Sequence, residues 1–193
     1  MAGLLRLDVD SSAWVQPPQL EWLSLPRQEQ WLWLVNAWLA SERAPSLVGQ
    51  PVNAAAPGPA GHRGPAGTTI NALSAEAQRP DAPVVRKRVL EILHELTLEA
   101  AAPDGQAPVL DAAAVLERAE WTQPRMARRF SSLIRGILAE AEMLGLIGSG
   151  ALSQLGAAIA GEQPDDALGI LGEHLPAALQ HVLLQADLTA VAP

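Results

Sequence analysis

The chain has 193 residues and a mass of 20.4 kDa, and 49% of its residues are hydrophobic, enough for one or two small domains with a core. It holds no cysteine, which excludes disulfides and thiolate metal sites and suits a reducing cytoplasm. Its net charge of −8 opposes general affinity for polyphosphate, so any nucleic-acid contact has to come from a local cationic surface.

Residues 1–49 read as a tryptophan-dominated unit. Trp14, Trp22, Trp31, Trp33 and Trp38 are five of the six tryptophans in the chain. Gly3-Leu4-Leu5, a turn at 8–12 and Ala13-Trp14-Val15-Gln16 precede a short predicted helix containing Leu20 and Trp22. Residues 26–41 then repeat helically, with Trp31, Leu34, Val35 and Trp38 on one side and Leu32 and Leu39 on another. A helix apolar nearly all round calls for burial on two sides. Tryptophans can stack bases, but Arg27 is the single basic residue among these and none lies between Trp31 and Trp38, so they read as core. The N-terminus lacks a basic segment followed by an apolar core, and neither a signal peptide nor a membrane span is expected.

Residues 50–69 change character. Pro51, Pro57, Pro59 and Pro65 alternate with Gly58, Gly61, Gly64 and Gly67, a composition too poor in apolar surface to offset ordering entropy. A loop or linker, open to proteolytic nicking, is expected there.

Residues 70–175 read as a winged-helix domain, so the predicted fold class is mainly α with short β-wings. A helix is predicted over about 83–100, with Glu91, His94 and Glu95 on its wet face. A second spans about 111–120, with Asp111 as N-cap and Leu110, Ala114, Val115 and Ala119 inward. Trp121, Thr122 and Gln123 turn the chain, and Pro124 occupies a first helical position. The third helix, over about 124–144, repeats Met126, Phe130, Leu133, Ile134, Ile137, Leu138, Ala141 and Leu144 at three- and four-residue spacing. Opposite that stripe lie Arg125, Arg128, Ser132 and Arg135, with Arg129 at the edge, as a recognition helix meeting phosphates and guanine edges requires. A row of charges on an amphipathic helix also fits a plain solvated face of a small helical bundle. Gly145 is a natural left-handed C-cap. Ile147, a Gly148-Ser149-Gly150 turn and Ala151-Leu152 then give a wing, followed by a small-residue helix to about residue 160.

Eight of the thirteen basic residues (Arg86, Lys87, Arg88, Arg118, Arg125, Arg128, Arg129 and Arg135) fall within 50 positions, so a basic face on an acidic body is compatible with the net charge. The preference for Arg over Lys matches a GC-rich coding sequence and carries no functional weight. The first 25 residues echo the segment after Gly145, which suggests either the wing and exit helix of a preceding winged-helix unit, making the chain a fragment, or an ordinary glycine-turn hairpin. At the far end, residues 176–193 open a further unit: apolar Val182, Leu184, Ala186, Leu188 and Ala190 alternate with polar neighbours, predicting one half-buried strand over 181–191 that needs a partner elsewhere.

The closing run Leu184-Gln185-Ala186-Asp187-Leu188-Thr189-Ala190-Val191-Ala192-Pro193 resembles a signature of bacterial, largely actinobacterial, helicase-associated proteins, where it opens a domain similar to the N-terminal domain of the XPB repair helicase. The segments Trp38-Leu39, Arg43 to Gly49, and Ala151-Leu152-Ser153-Gln154-Leu155-Gly156 resemble regions preceding that signature. The resemblance implies a multi-winged-helix accessory region, not a motor, and transfers no catalytic residue.

Catalytic motifs are missing from the sequence. There is no Gly-x-x-x-x-Gly-Lys-[Ser/Thr] loop, and Lys87 is the only lysine. His62, His94, His174 and His181 have no metal-ligand spacing with carboxylates, and no Gly-x-Ser-x-Gly elbow occurs. The chain therefore reads as a non-enzyme with no cofactor, metal or small-molecule substrate. Two functions fit: a DNA-binding accessory module, or a protein-interaction or homodimerisation scaffold without DNA contact.

Overall fold

The computed structural model describes residues 2–17, 20–52, 69–99 and 110–176, together with the strand backbones 183–184 and 190–191. Among these residues the chain is mainly helical: α1 (Arg27–Ala40), α2 (Ala82–Glu99), α3 (Ala112–Thr122), α4 (Pro124–Met143), α5 (Gln154–Ala160) and α6 (Pro164–His174). Three antiparallel two-stranded hairpins accompany them: β1 (Arg6–Asp8) with β2 (Ala13–Val15), β3 (Ile147–Gly148) with β4 (Ala151–Leu152), and β5 (Leu183–Leu184) with β6 (Ala190–Val191). None of the described helices is long and apolar enough to cross a membrane.

The α2–α3–α4 unit follows its sequence pattern closely. Asp111 caps α3 by accepting a hydrogen bond from the Ala114 amide at 2.8 Å. Gln123 alone separates α3 from α4; its φ of −143° and ψ of 67° turn the chain within one residue, tighter than the predicted three-residue turn. α4 ends in a full Schellman motif at Gly145 (φ 75°): the Gly145 amide donates to the Glu142 carbonyl and the Leu146 amide to the Ala141 carbonyl. Ile147↔Leu152 and Gly148↔Ala151 then pair around a two-residue turn. Ser149 and Gly150 there have φ of 50° and 78°, the left-handed pair that a tight hairpin with right-handed strand twist needs. Ser153 closes the unit, accepting from the Gly156 amide to cap α5 and donating back to the Gly145 carbonyl.

One apolar core crosses the compositional boundary between 1–49 and 70–175. Val35, Ala44 and Leu47 from the N-terminal side are buried together with Val85, Val89, Leu93, Val115, Leu133, Ile134, Ile137 and Leu146. The described residues on either side of the Pro/Gly segment therefore share one core. The two ends of that segment are tied: the Gly49 amide donates to Ile70 and the Ile70 amide to Gln50, with Pro51 bridged to Thr69. Residues 53–68, on which the expected nicking falls, lie outside the described residues.

Polar groups stitch the same boundary. Glu140 is 7% exposed, and its carboxylate accepts from Trp38 Nε1 at 2.7 Å, from the Ser46 amide at 3.1 Å and from Arg86 Nη2 at 3.3 Å. Arg86, fully buried, also donates to the carbonyls of Ser41 and Arg43 and stacks 5.1 Å from the centre of the Trp38 ring. Burial lowers the Arg86 pKa from its ordinary value, and Glu140 opposes that shift. Four segments, α1, the 41–46 loop, α2 and α4, meet at this one ion pair.

Several expectations change. The helix predicted around Leu20 and Trp22 is a single 3-10 turn, Trp22–Ser24, because Pro17, Pro18 and Pro26 leave too few residues for a stable helix. Phe130, read as core, is only partly buried and has φ −118° and ψ 15°, so α4 kinks there. The single strand over 181–191 is instead β5 and β6 paired with each other (Leu183↔Val191, Leu184↔Ala190), which meets the backbone hydrogen-bonding need of a lone strand. Of the tryptophans, Trp31 and Trp38 pack on the core as expected, whereas Trp14 and Trp33 are 46% and 42% exposed.

The β1–β2 and β3–β4 hairpins share backbone features at their entrances. Gly3 has φ 72° and Gly145 φ 75°, and each precedes an antiparallel hairpin. Trp33 Nε1 donates to the Ala2 carbonyl and Trp31 Nε1 to the Leu144 carbonyl, in each case the residue just before that glycine. The hairpins differ in what covers them: Ile147 and Leu152 are buried, β3 contacting α4 and β4 contacting α2, while Leu5 and Trp14 are exposed.

Candidate nucleic-acid interface

The first turns of α4 carry the candidate surface. Arg125, Arg128, Arg129, Ser132 and Arg135 are all exposed, and the stripe opposite them, Leu133, Ile134, Ile137 and Ala141, is buried. The kink at Phe130 divides the row, so Arg125 and Arg128 lie on one helical segment and Ser132 and Arg135 on the next. Pro124 fills N1, no side chain caps the helix, and no acidic residue lies in its first turn. The amides of Arg125 and Met126 thus have no acceptor within the helix, and the dipole adds positive potential at this end.

The eight clustered basic residues sort into two groups. Arg86 is buried against Glu140, Lys87 pairs with Glu162, Arg88 with Glu91 and Glu95, Arg118 with Glu99, and Arg129 with Asp81 at 3.1 Å. Hydrogen bonding to Glu99 raises the Arg118 pKa, and the Lys87 ammonium, hydrogen-bonded to Glu162, lowers that carboxyl. Arg125, Arg128 and Arg135 have no acidic partner among the described residues; Arg128 reaches only the Pro124 carbonyl, at 3.2 Å. Three unpaired guanidiniums therefore remain on one helix, and Asp81 marks the acidic edge of the row beside Arg129.

The β3–β4 turn brings no charge. Gly148 and Ser149 are exposed and Gly150 is half-buried, so the turn presents backbone amides and the Ser149 hydroxyl. The Leu110 amide donates to the Gly150 carbonyl at 2.6 Å, which fixes the hairpin against the start of α3. Trp121, three residues before α4, is 86% exposed and adds a flat apolar face next to the arginines in sequence.

Sequence reasoning missed the roles of Arg86 and Glu140, which it placed among surface charges or left unassigned. Helical spacing carried the signal: Arg86 falls in step with Ala82, Val89 and Leu93, and Glu140 with Leu133 and Ile137, so both polar residues lie on apolar stripes.

A cleft of about 700 Å³ lies between α1, the start of α2 and α5, lined by Leu39, Val84, Leu90 and Ile159 and rimmed by the Lys87–Glu162 pair. No group of three or more His, Asp or Glu side chains among the described residues is placed to hold a metal ion. Comparison with protein-family models, with curated proteins and with solved structures returns no match.

Proposed function

We propose that this chain is a non-catalytic, DNA-binding accessory module built on a winged helix, in which α2, α3 and α4 are the three helices and the β3–β4 hairpin is the wing. Two features support the fold: the one-residue α3–α4 junction, and the Leu110 to Gly150 hydrogen bond that ties the segment between the first two helices to the hairpin. α4 enters the major groove, Arg125, Arg128, Ser132 and Arg135 contact phosphates or guanine edges, and the amides of Gly148 and Ser149 touch the adjacent backbone. The observation that carries this reading is the sorting of charges: every other basic residue of the cluster is neutralised by a neighbouring acid, and Arg125, Arg128 and Arg135 are not. The resemblance of the closing residues to helicase-associated proteins with an XPB-like domain fits an accessory role at DNA and not that of a motor.

Replacing Arg125, Arg128 and Arg135 together with Glu reverses the surface charge without touching the buried stripe. Fluorescence anisotropy on a labelled random duplex should show binding abolished while the circular dichroism spectrum is unchanged. Unaltered affinity in the triple variant would remove the arginine row from function. The exposed apolar side chains of the N-terminal hairpin favour a second reading, a protein-interaction scaffold that never touches DNA.

A further inference from the structure

The N-terminal hairpin turns an apolar face to solvent. Leu7 and Trp14 are register partners and so share a face, and they are 49% and 46% exposed; Leu5 at 56% and Val9 at 82% flank Leu7 along the chain. β1 pairs only with β2 among the described residues, so its outer edge offers unpaired backbone groups. The charges on β1 are arranged about its centre: Arg6 and Asp8 sit on either side of Leu7, both on the face opposite the apolar one.

We infer that β1 pairs antiparallel with β1 of a second copy of this chain, about a two-fold axis at Leu7. That register sets Arg6 opposite Asp8 of the second copy, Asp8 opposite Arg6 of the second copy, and the two Leu7 side chains opposite each other. Leu5 then faces Val9 of the second copy at both ends, and the two hairpins merge into one four-stranded sheet with a Trp14 on each flank. A parallel pairing in the same register would set Arg6 against Arg6 and Asp8 against Asp8, and like charges directly opposite are destabilising. The charge pattern therefore selects both the orientation and the register, as an isologous interface requires. The contact is small, below the roughly 1,200 Å² of a standard interface, so the dimer is weak and concentration-dependent. It uses neither α4 nor the β3–β4 turn and stands independently of DNA binding.

Sedimentation equilibrium from about 5 to about 500 µM spans the expected association range. The unaltered chain should rise from 20.4 kDa toward twice that mass. Arg6→Asp and Asp8→Arg chains should each stay monomeric, because each places like charges opposite one another at the axis. Mixed in equal amounts, the two should pair, since each then meets opposite charge in the other. Recovery on mixing also shows that both variants are folded. A mass of one chain at every concentration, or variants that stay monomeric when mixed, would overturn the proposal; so would variants that dimerise alone as the unaltered chain does. Saturation of the hairpin by a different protein partner would appear as the first of these outcomes.

Discussion

Replacing Glu140 with alanine removes the acceptor at the centre of the buried junction. Arg86 Nη2, Trp38 Nε1 and the Ser46 amide all lose their carboxylate partner, and the guanidinium stays inside, its side chain fully buried. Removing one member of a buried ion pair costs about 3–5 kcal/mol, mostly because the other charge is left uncompensated. That is a large share of the roughly 5–15 kcal/mol that holds a folded protein. At about 2–4 °C per kcal/mol for a chain of this size, Tm should fall by roughly 6–20 °C. Thermal and urea unfolding, followed by circular dichroism and by tryptophan fluorescence, measure it directly. The paired variant Arg86→Met with Glu140→Leu removes both charges at similar volume and should cost less than Glu140→Ala alone, about 1–3 kcal/mol for the bonds still lost at the Trp38 indole, the Ser46 amide and the Ser41 and Arg43 carbonyls. A loss under about 1 kcal/mol for Glu140→Ala, or a double variant as damaging as the two single changes added, would refute the account of this junction.

Trp31→Phe deletes the hydrogen bond to the Leu144 carbonyl and part of the ring packed on the core, and should cost about 1–3 kcal/mol by urea unfolding. Gly156→Ala should cost about 1–3 kcal/mol or more, since an added Cβ would overlap the Leu146 carbonyl oxygen and come within 2.7 Å of Leu152 Cδ1. Splitting the chain within residues 53–68 should leave two fragments that co-elute as one complex, because residues on both sides share a core; separation on a sizing column would contradict this. Asp81→Ala releases Arg129 from its ion pair and should tighten duplex binding at low salt, measured by anisotropy.

The helices after residue 80 were legible because their signals are local. The Asp111 cap, Pro124 at N1, the apolar stripe of α4 and the Gly145 stop all act within a few residues, and the α3, α4 and hairpin boundaries fall within about two positions of where those residues put them. The exposure of Arg125, Arg128, Ser132 and Arg135 follows from the same stripe. What could not be read depends on contacts between distant segments. Arg86 meets Ser41 and Glu140 across 45 and 54 residues, and no local spacing encodes that pairing. The neutralisation of Lys87, Arg118 and Arg129 was hidden for the same reason, so the basic cluster looked larger than the three guanidiniums that stay unpaired. The tryptophan helix misled differently: apolar residues on all sides do not say which side is covered, and Trp33 proved exposed where Trp31 and Trp38 are packed.

The dependence of duplex affinity on salt for the unaltered chain tests the central claim most directly. Each phosphate neutralised contributes a slope of about −0.9 in log affinity against log salt. With Arg125, Arg128 and Arg135 all on phosphates the slope is about −2.7, flattening by about 0.9 with the Arg→Ala replacement of each phosphate-bound residue. Absence of binding at the lowest salt, or a slope near zero that none of the three replacements alters, would contradict the assignment of this helix to DNA.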